Sequence, residues 1–165
     1  MKENKGVTLT SLVITIIVLL IIAGISVYSG TDIIKRAKLE ELKTNMLLIE
    51  TKAKECVENA NFKLGKLDNL GGDEKINRIN EAKKELKGTE IEKADNIDIE
   101  SSDYNYYYKL TEENLKDIGL SNVKSTDTDG QYIVKYDIEN AKVEIYNTKG
   151  YDGKYSLKDI EQIQK

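Results

Sequence analysis

The sequence predicts an α+β protein in which one long N-terminal helix, first apolar and then amphipathic, packs against a small antiparallel β-sheet head. Three patterns carry this expectation. Val7 to Tyr28 contains no charged residue. Leu39, Leu42, Met46, Ile49, Ala53, Cys56 and Ala60 then alternate spacings of three and four, which draws one apolar stripe along a helix. Gln131 to Asp137 and Lys142 to Asn147 alternate apolar and polar residues around a short turn, Ile138 to Ala141, the pattern of a β-hairpin.

The first of these elements is long enough to matter outside water. Its 22 residues extend about 33 Å as a helix, which matches the hydrocarbon core of a bilayer. Each central Ile, Val or Leu favours insertion by roughly 0.3 to 0.6 kcal/mol. A globular part of this size does not enclose a helix that is apolar on every side. A cleaved secretory signal would have a shorter apolar region. The flanking lysines, Lys2 and Lys5 before and Lys35, Arg36, Lys38 and Lys43 after, do not by themselves orient the segment.

Composition narrows the chemistry. The chain has 165 residues, a formal net charge of −4 and no His, Trp or Pro. Without His there is no Ser-His-Asp or Cys-His nucleophile pair, and the commonest transition-metal ligand is missing. Cys56 is the single cysteine, so neither an intrachain disulfide nor a multi-cysteine zinc site is open to it. The acidic balance gives no electrostatic reason to expect a nucleic-acid partner. No phosphate-binding glycine loop or nucleophile elbow is present. The reading is a non-enzyme with no cofactor.

The stretch Lys5-Gly6-Val7-Thr8-Leu9-Thr10-Ser11-Leu12 resembles the N-terminal signal of type IV pilins and pseudopilins. In that family a short charged leader ends in Lys-Gly, a dedicated prepilin peptidase cuts after the glycine, and the new N-terminus is methylated. The resemblance assigns Gly6 to the cleavage glycine and Val7 to the methylated N-terminus. It makes Leu9, Ser11, Leu12, Ile16, Leu19 and Leu20 part of an assembly helix. One position departs from the pattern: where the family usually carries a Glu five residues into the mature chain, this chain has Ser11. A hydroxyl accepts a hydrogen bond but does not cancel a charge.

What the resemblance implies is therefore a minor or specialised subunit of a type IV pilus or secretion pseudopilus. Its partners would be other pilin-like subunits, the prepilin peptidase and, before assembly, membrane lipid. It would sit as a single-pass protein of the cytoplasmic membrane with its head outside, then in a cell-surface filament. The Tyr-rich strand and the C-terminal Gly-Tyr-x-Gly-x-Tyr-Ser-Leu run look similar to pilin-like proteins of Gram-positive bacteria. The competing reading is an uncleaved, membrane-anchored extracellular binding domain.

The expected organisation is a leader at 1–6, a transmembrane and assembly helix at 7–30, its amphipathic continuation at 31–62 and a globular head at 63–165. A helix from about Thr8 to Phe62 would run roughly 80 Å. Cys56 is expected as a small buried residue on the stripe. The alternative use of the stripe, a coiled-coil dimer, is disfavoured by its small Ala and Cys positions. Asp73 is expected to cap a second helix that Gly88 closes beyond Lys87. Ile91 to Asp98 fits either a strand or a loop. Tyr104 to Leu110 reads as a strand, Thr111 as the cap of a helix from Glu112 to Ile118, and Ser156 as the cap of a last helix from Leu157 to Gln164.

Two groups in the head invite a functional reading beside a structural one. Tyr104, Tyr106, Tyr107 and Tyr108, with Tyr132, Tyr136 and Tyr146, would suit an adhesive surface or simply strands. On a strand Tyr106 and Tyr108 face one way and Tyr107 the other. Asp127-Thr128-Asp129-Gly130 resembles part of a calcium loop, with Asp127 and Asp129 as the ligands. The later bidentate Glu of a complete loop is absent, and Asp-Gly is a common turn signal, so no metal is assigned.

Overall fold

The computed structural model describes residues 9–163 other than 101; within the first helix the side chains of 9–13 and 21–31 are also outside the described set. The chain divides into two units, Met1–Glu40 and Glu41–Lys165. Helix α1 (Leu9–Leu64) belongs to both.

In the first unit α1 is helical from Leu9 onward. No proline interrupts it, and the modest helix propensity of its many β-branched Ile and Val residues is not enough to break it.

The second unit contains the rest of α1, three short helices and a five-stranded antiparallel sheet: α2 (Gly72–Lys83), β1 (Thr89–Glu90), β2 (Asn105–Leu110), α3 (Glu112–Asp117), β3 (Tyr132–Asp137), β4 (Lys142–Tyr151), β5 (Lys154–Ser156) and α4 (Leu157–Glu161). The strands lie in sequence order across the sheet. Tyr106 pairs with Tyr136, Tyr108 with Val134 and Val134 with Ile145, which fixes one face. That face carries Tyr108, Leu110, Tyr132, Val134, Tyr136 and Ile145, all buried.

The buried stripe of α1 in this unit is Met46, Ile49, Ala53, Val57, Ala60 and Leu64. Asn61 fastens the helix to the hairpin turn by donating to the carbonyls of Ile138 and Glu139, both at 2.9 Å. Cys56 does not take the stripe position expected of it; it is only half-buried, and Val57 is fully buried instead. A helix turns 3.6 residues per repeat, so a strict three-four alternation drifts off the contact face and the next residue replaces it. The helix also runs past Phe62 to Leu64, where Gly65 at φ +59° stops it.

The outer face of the sheet is not bare. The segment 91–99 crosses it as a strap, with Ile97 buried against Tyr107 and Ile133, and Ile91, Ala94, Ile99 and Tyr146 around them. Its anchors are the Ile91 amide donating to the Tyr107 carbonyl at 2.8 Å and a bridge between Ala94 and Ile97. The expected strand-or-loop segment is thus an ordered loop that makes a second small core.

Local chemistry explains the short helices. Thr111 and Asn114 form a reciprocal capping box at α3, and Ser156 accepts the Asp159 amide at 3.1 Å at the start of α4. Helix α2 departs from expectation. Its N-cap is Gly71, and Asp73 sits in the first turn with Glu74, where both complement the helix dipole. It ends at Lys83 because the chain tightens there, the Glu85 and Leu86 amides reaching back to the carbonyls of Ala82 and Lys83, which delivers Leu86 to the core. Gly88 then adopts φ +115°, where a Cβ would come within 2.8 Å of the Lys109 carbonyl oxygen. Helix α4 likewise stops at Glu161 rather than Gln164.

Candidate functional site

The apolar run of the first unit is the outstanding surface of the chain. Ile14, Ile16, Ile17, Val18, Leu19 and Leu20 are all exposed, with Ile16 at 49 %, Leu19 at 60 % and Leu20 at 68 %. Successive helical residues point 100° apart, so six exposed apolar residues among seven leave no polar face. Covering a half-exposed side chain of this size is worth about 1 kcal/mol, so the run gains several kcal/mol from any apolar surroundings. Ile33 and Ile34 continue the exposure toward the second unit's boundary.

The sequence-assigned residues divide into three groups. Gly6 and Val7 lie outside the described residues. Leu9, Ser11 and Leu12 are on α1, but their side chains lie outside the described set. Ile16, Leu19 and Leu20 are described, and their spacing of three and four brings them to one side of the helix. Ile14, Ile17 and Val18, also exposed, complete the apolar circumference expected of a segment that is apolar on every side. Among the described residues no helix is long and apolar enough to cross a membrane. Of the expected span from Val7 to Tyr28, only 14–20 have described side chains.

In the head the tyrosines are distributed as strand residues. Tyr107, Tyr108, Tyr132 and Tyr136 are buried, on opposite faces as the alternation requires. Tyr108 and Tyr136 meet edge to face at 5.6 Å, and the Tyr136 hydroxyl donates to the Lys87 carbonyl at 3.3 Å. Burial pushes the Tyr108 phenol up to about 12, and it raises Tyr136 and Tyr146 as well, the latter also donating to Glu144 at 2.5 Å. Tyr106 and Tyr104 are half-buried and lie beneath Lys83 and Lys75 of α2 at 4.3 and 5.4 Å from the ring centres. The tyrosines are divided among the α2 side, the strap and the core on opposite sheet faces, and do not form one continuous aromatic surface.

Asp127 and Asp129 are held apart in a turn bridged by Thr126 and Gly130. Asp127 accepts from the Gln131 amide at 2.6 Å, and Asp129 from the Thr126 hydroxyl at 3.0 Å. Among the described residues no group of three or more carboxylates, cysteines or histidines is placed to hold a metal ion. Asp127 does line a cleft of about 800 Å³ beside the strap, together with Glu92, Asp95, Asp98, Ile97 and Ile133. Cys56 opens on a smaller cleft of about 320 Å³; burial pushes its thiol up, away from the thiolate that nucleophilic chemistry requires.

The chain matches no family model, no curated protein and no solved structure.

Proposed function

We propose that this chain is a structural subunit of a type IV pilus or secretion pseudopilus, of the minor or specialised kind, cleaved after Gly6 and assembled through its apolar helix. The observation that carries the reading is the exposed apolar circumference of residues 14–20, directly downstream of Lys5-Gly6-Val7-Thr8-Leu9. Such a helix is stable only in a dry environment. Lipid supplies one before assembly, and the helices of other pilin-like subunits supply another afterwards, with side-chain packing as the net gain. The second unit has its own core and serves as the part displayed outside the membrane. Ser11 in place of the usual Glu favours a subunit that shares a filament with carboxylate-bearing neighbours, because an ammonium in a helix bundle without a counter-charge costs several kcal/mol.

The test is processing in the presence of a prepilin peptidase. The wild-type chain should shorten by its leader, and Gly6→Phe should remain full length in the same membranes. Shortening that is indifferent to Gly6→Phe, or absent in both, overturns the proposal; absence in both fits the uncleaved membrane-anchored ectodomain instead.

A further inference from the structure

We infer, resting on the membrane-inserted form proposed above, that Lys35, Arg36 and Lys38 form a basic patch that binds the anionic headgroups of the lipid leaflet at the C-terminal end of the apolar run. The patch belongs to the first unit alone, and cleavage at Gly6 leaves it intact.

Helix geometry sets the height of the patch. Helix α1 is continuous from Leu9 to Leu64. At about 1.5 Å per residue, Lys35 lies about 10 Å and Lys38 about 15 Å beyond Tyr28, where the apolar run ends. The polar headgroup zone extends about 5–8 Å beyond the hydrocarbon on each side. Helical side chains lean toward the N-terminus of their helix, which here is the direction of the apolar run. The long Lys and Arg stems therefore reach back across the gap, as such side chains do at membrane boundaries.

Composition matches that height. Lys35, Arg36 and Lys38 are all exposed, and Asp32, also exposed, is the single acid among residues 32–38, so the patch keeps a net positive charge. Ile33 and Ile34, both more than half exposed, stand between the apolar run and these cations. Water leaves the isoleucines bare, and hydrocarbon leaves the cations without a counter-charge. A headgroup layer accepts both, with apolar side chains toward the acyl boundary and cations on anionic oxygens. Anionic lipid is preferred to zwitterionic lipid because each Lys or Arg near such a surface adds about a five-fold preference. The next cation along the chain, Lys43, belongs to the second unit and donates to the Ile163 carbonyl at 3.4 Å, so the patch ends at Lys38. Lys2 and Lys5 flank the other end of the run and would meet the opposite leaflet.

The test uses the full-length chain in phosphatidylcholine vesicles that carry a trace of spin-labelled phosphatidylglycerol or spin-labelled phosphatidylcholine. A Lys2→Gln/Lys5→Gln background removes the cations of the opposite leaflet. Lipid held at the protein surface gives a motionally restricted electron-spin-resonance signal. This chain should restrict phosphatidylglycerol over phosphatidylcholine by about five-fold or more at low salt. Salt at about 1 M, where the screening length is about 3 Å, should remove the preference. Adding Lys35→Gln/Arg36→Gln/Lys38→Gln should bring the two lipids to parity while both remain restricted, since glutamine keeps the helix. Equal restriction of the two lipids before that change, or a preference that survives it, overturns the basic patch and leaves membrane insertion standing. No restricted lipid of either kind, with the chain left behind when the vesicles float, overturns the membrane-inserted form and the patch with it.

Discussion

Gly130→Ala is the perturbation whose cost the head specifies most fully. Gly130 has φ +87°, and a Cβ there would meet Asn147 Oδ1 at 2.2 Å and its Cγ at 2.8 Å. Asn147 is fully buried. Its Oδ1 accepts the amides of Lys149 at 3.0 Å and Gly150 at 2.9 Å, which holds the irregular stretch of β4 between Tyr146 and Tyr151. The substitution therefore carries two costs. Left-handed backbone at a residue with a Cβ costs about 1–2 kcal/mol. Expelling Asn147 breaks two hydrogen bonds at about 1 kcal/mol each. The sum is about 3–4 kcal/mol, a large share of a typical domain's stability.

Asn147→Ala by itself loses the same two bonds but also removes a buried Nδ2 that has no partner, so about 1–3 kcal/mol is expected. In that background the alanine at 130 meets no amide group, and only the backbone cost remains. The double variant should then be about 2 kcal/mol more stable than the sum of the single effects predicts. Urea unfolding of the full-length chain in non-ionic detergent measures this, followed by near-ultraviolet circular dichroism, since the chain has ten tyrosines and no tryptophan. Additivity to within about 0.5 kcal/mol would refute the claim that Gly130 is required by Asn147.

Three further outcomes follow from the same packing. Tyr108, held at about 12, and the likewise raised Tyr136 keep their protons in the folded state after unfolded tyrosines have released theirs near pH 10; this stability is whole below about pH 10 and is lost as pH rises through the folded value, so the share of tyrosinate absorbance lost in the Tyr108→Phe and Tyr136→Phe variants should be the share that appears together with unfolding. Thr111→Ala removes one arm of the α3 capping box and should cost about 1 kcal/mol in urea unfolding. Val57→Ala, at a fully buried position, should lower stability more than Cys56→Ala at its half-buried neighbour, by about 1 kcal/mol or more, and the reverse order would restore Cys56 to the stripe.

What was legible in the sequence was whatever had a period or a cap. The long helix, strand β2, the β3–β4 hairpin and the capped helices at Thr111 and Ser156 follow from residue spacing and local hydrogen-bonding chemistry. Strands β1 and β5, of two and three residues, are too short to show alternation and exist through their neighbours. The strap at 91–99 has isoleucines without a period, because it packs on Tyr107 and Ile133 as a loop and is ordered by tertiary contacts alone. The exchange of Cys56 for Val57 reflects helical drift that a three-four pattern ignores. In the candidate site, Ile16, Leu19 and Leu20 are where the apolar run places them, whereas Gly6 and Val7 lie outside the described residues, so their role rests on sequence resemblance.

The most direct measurement is the mass and N-terminal sequence of the chain recovered from the cells that make it. The account predicts a chain that begins at Val7, one methyl group heavier than its sequence. A chain beginning at Met1, or one beginning beyond Ser26, would contradict it.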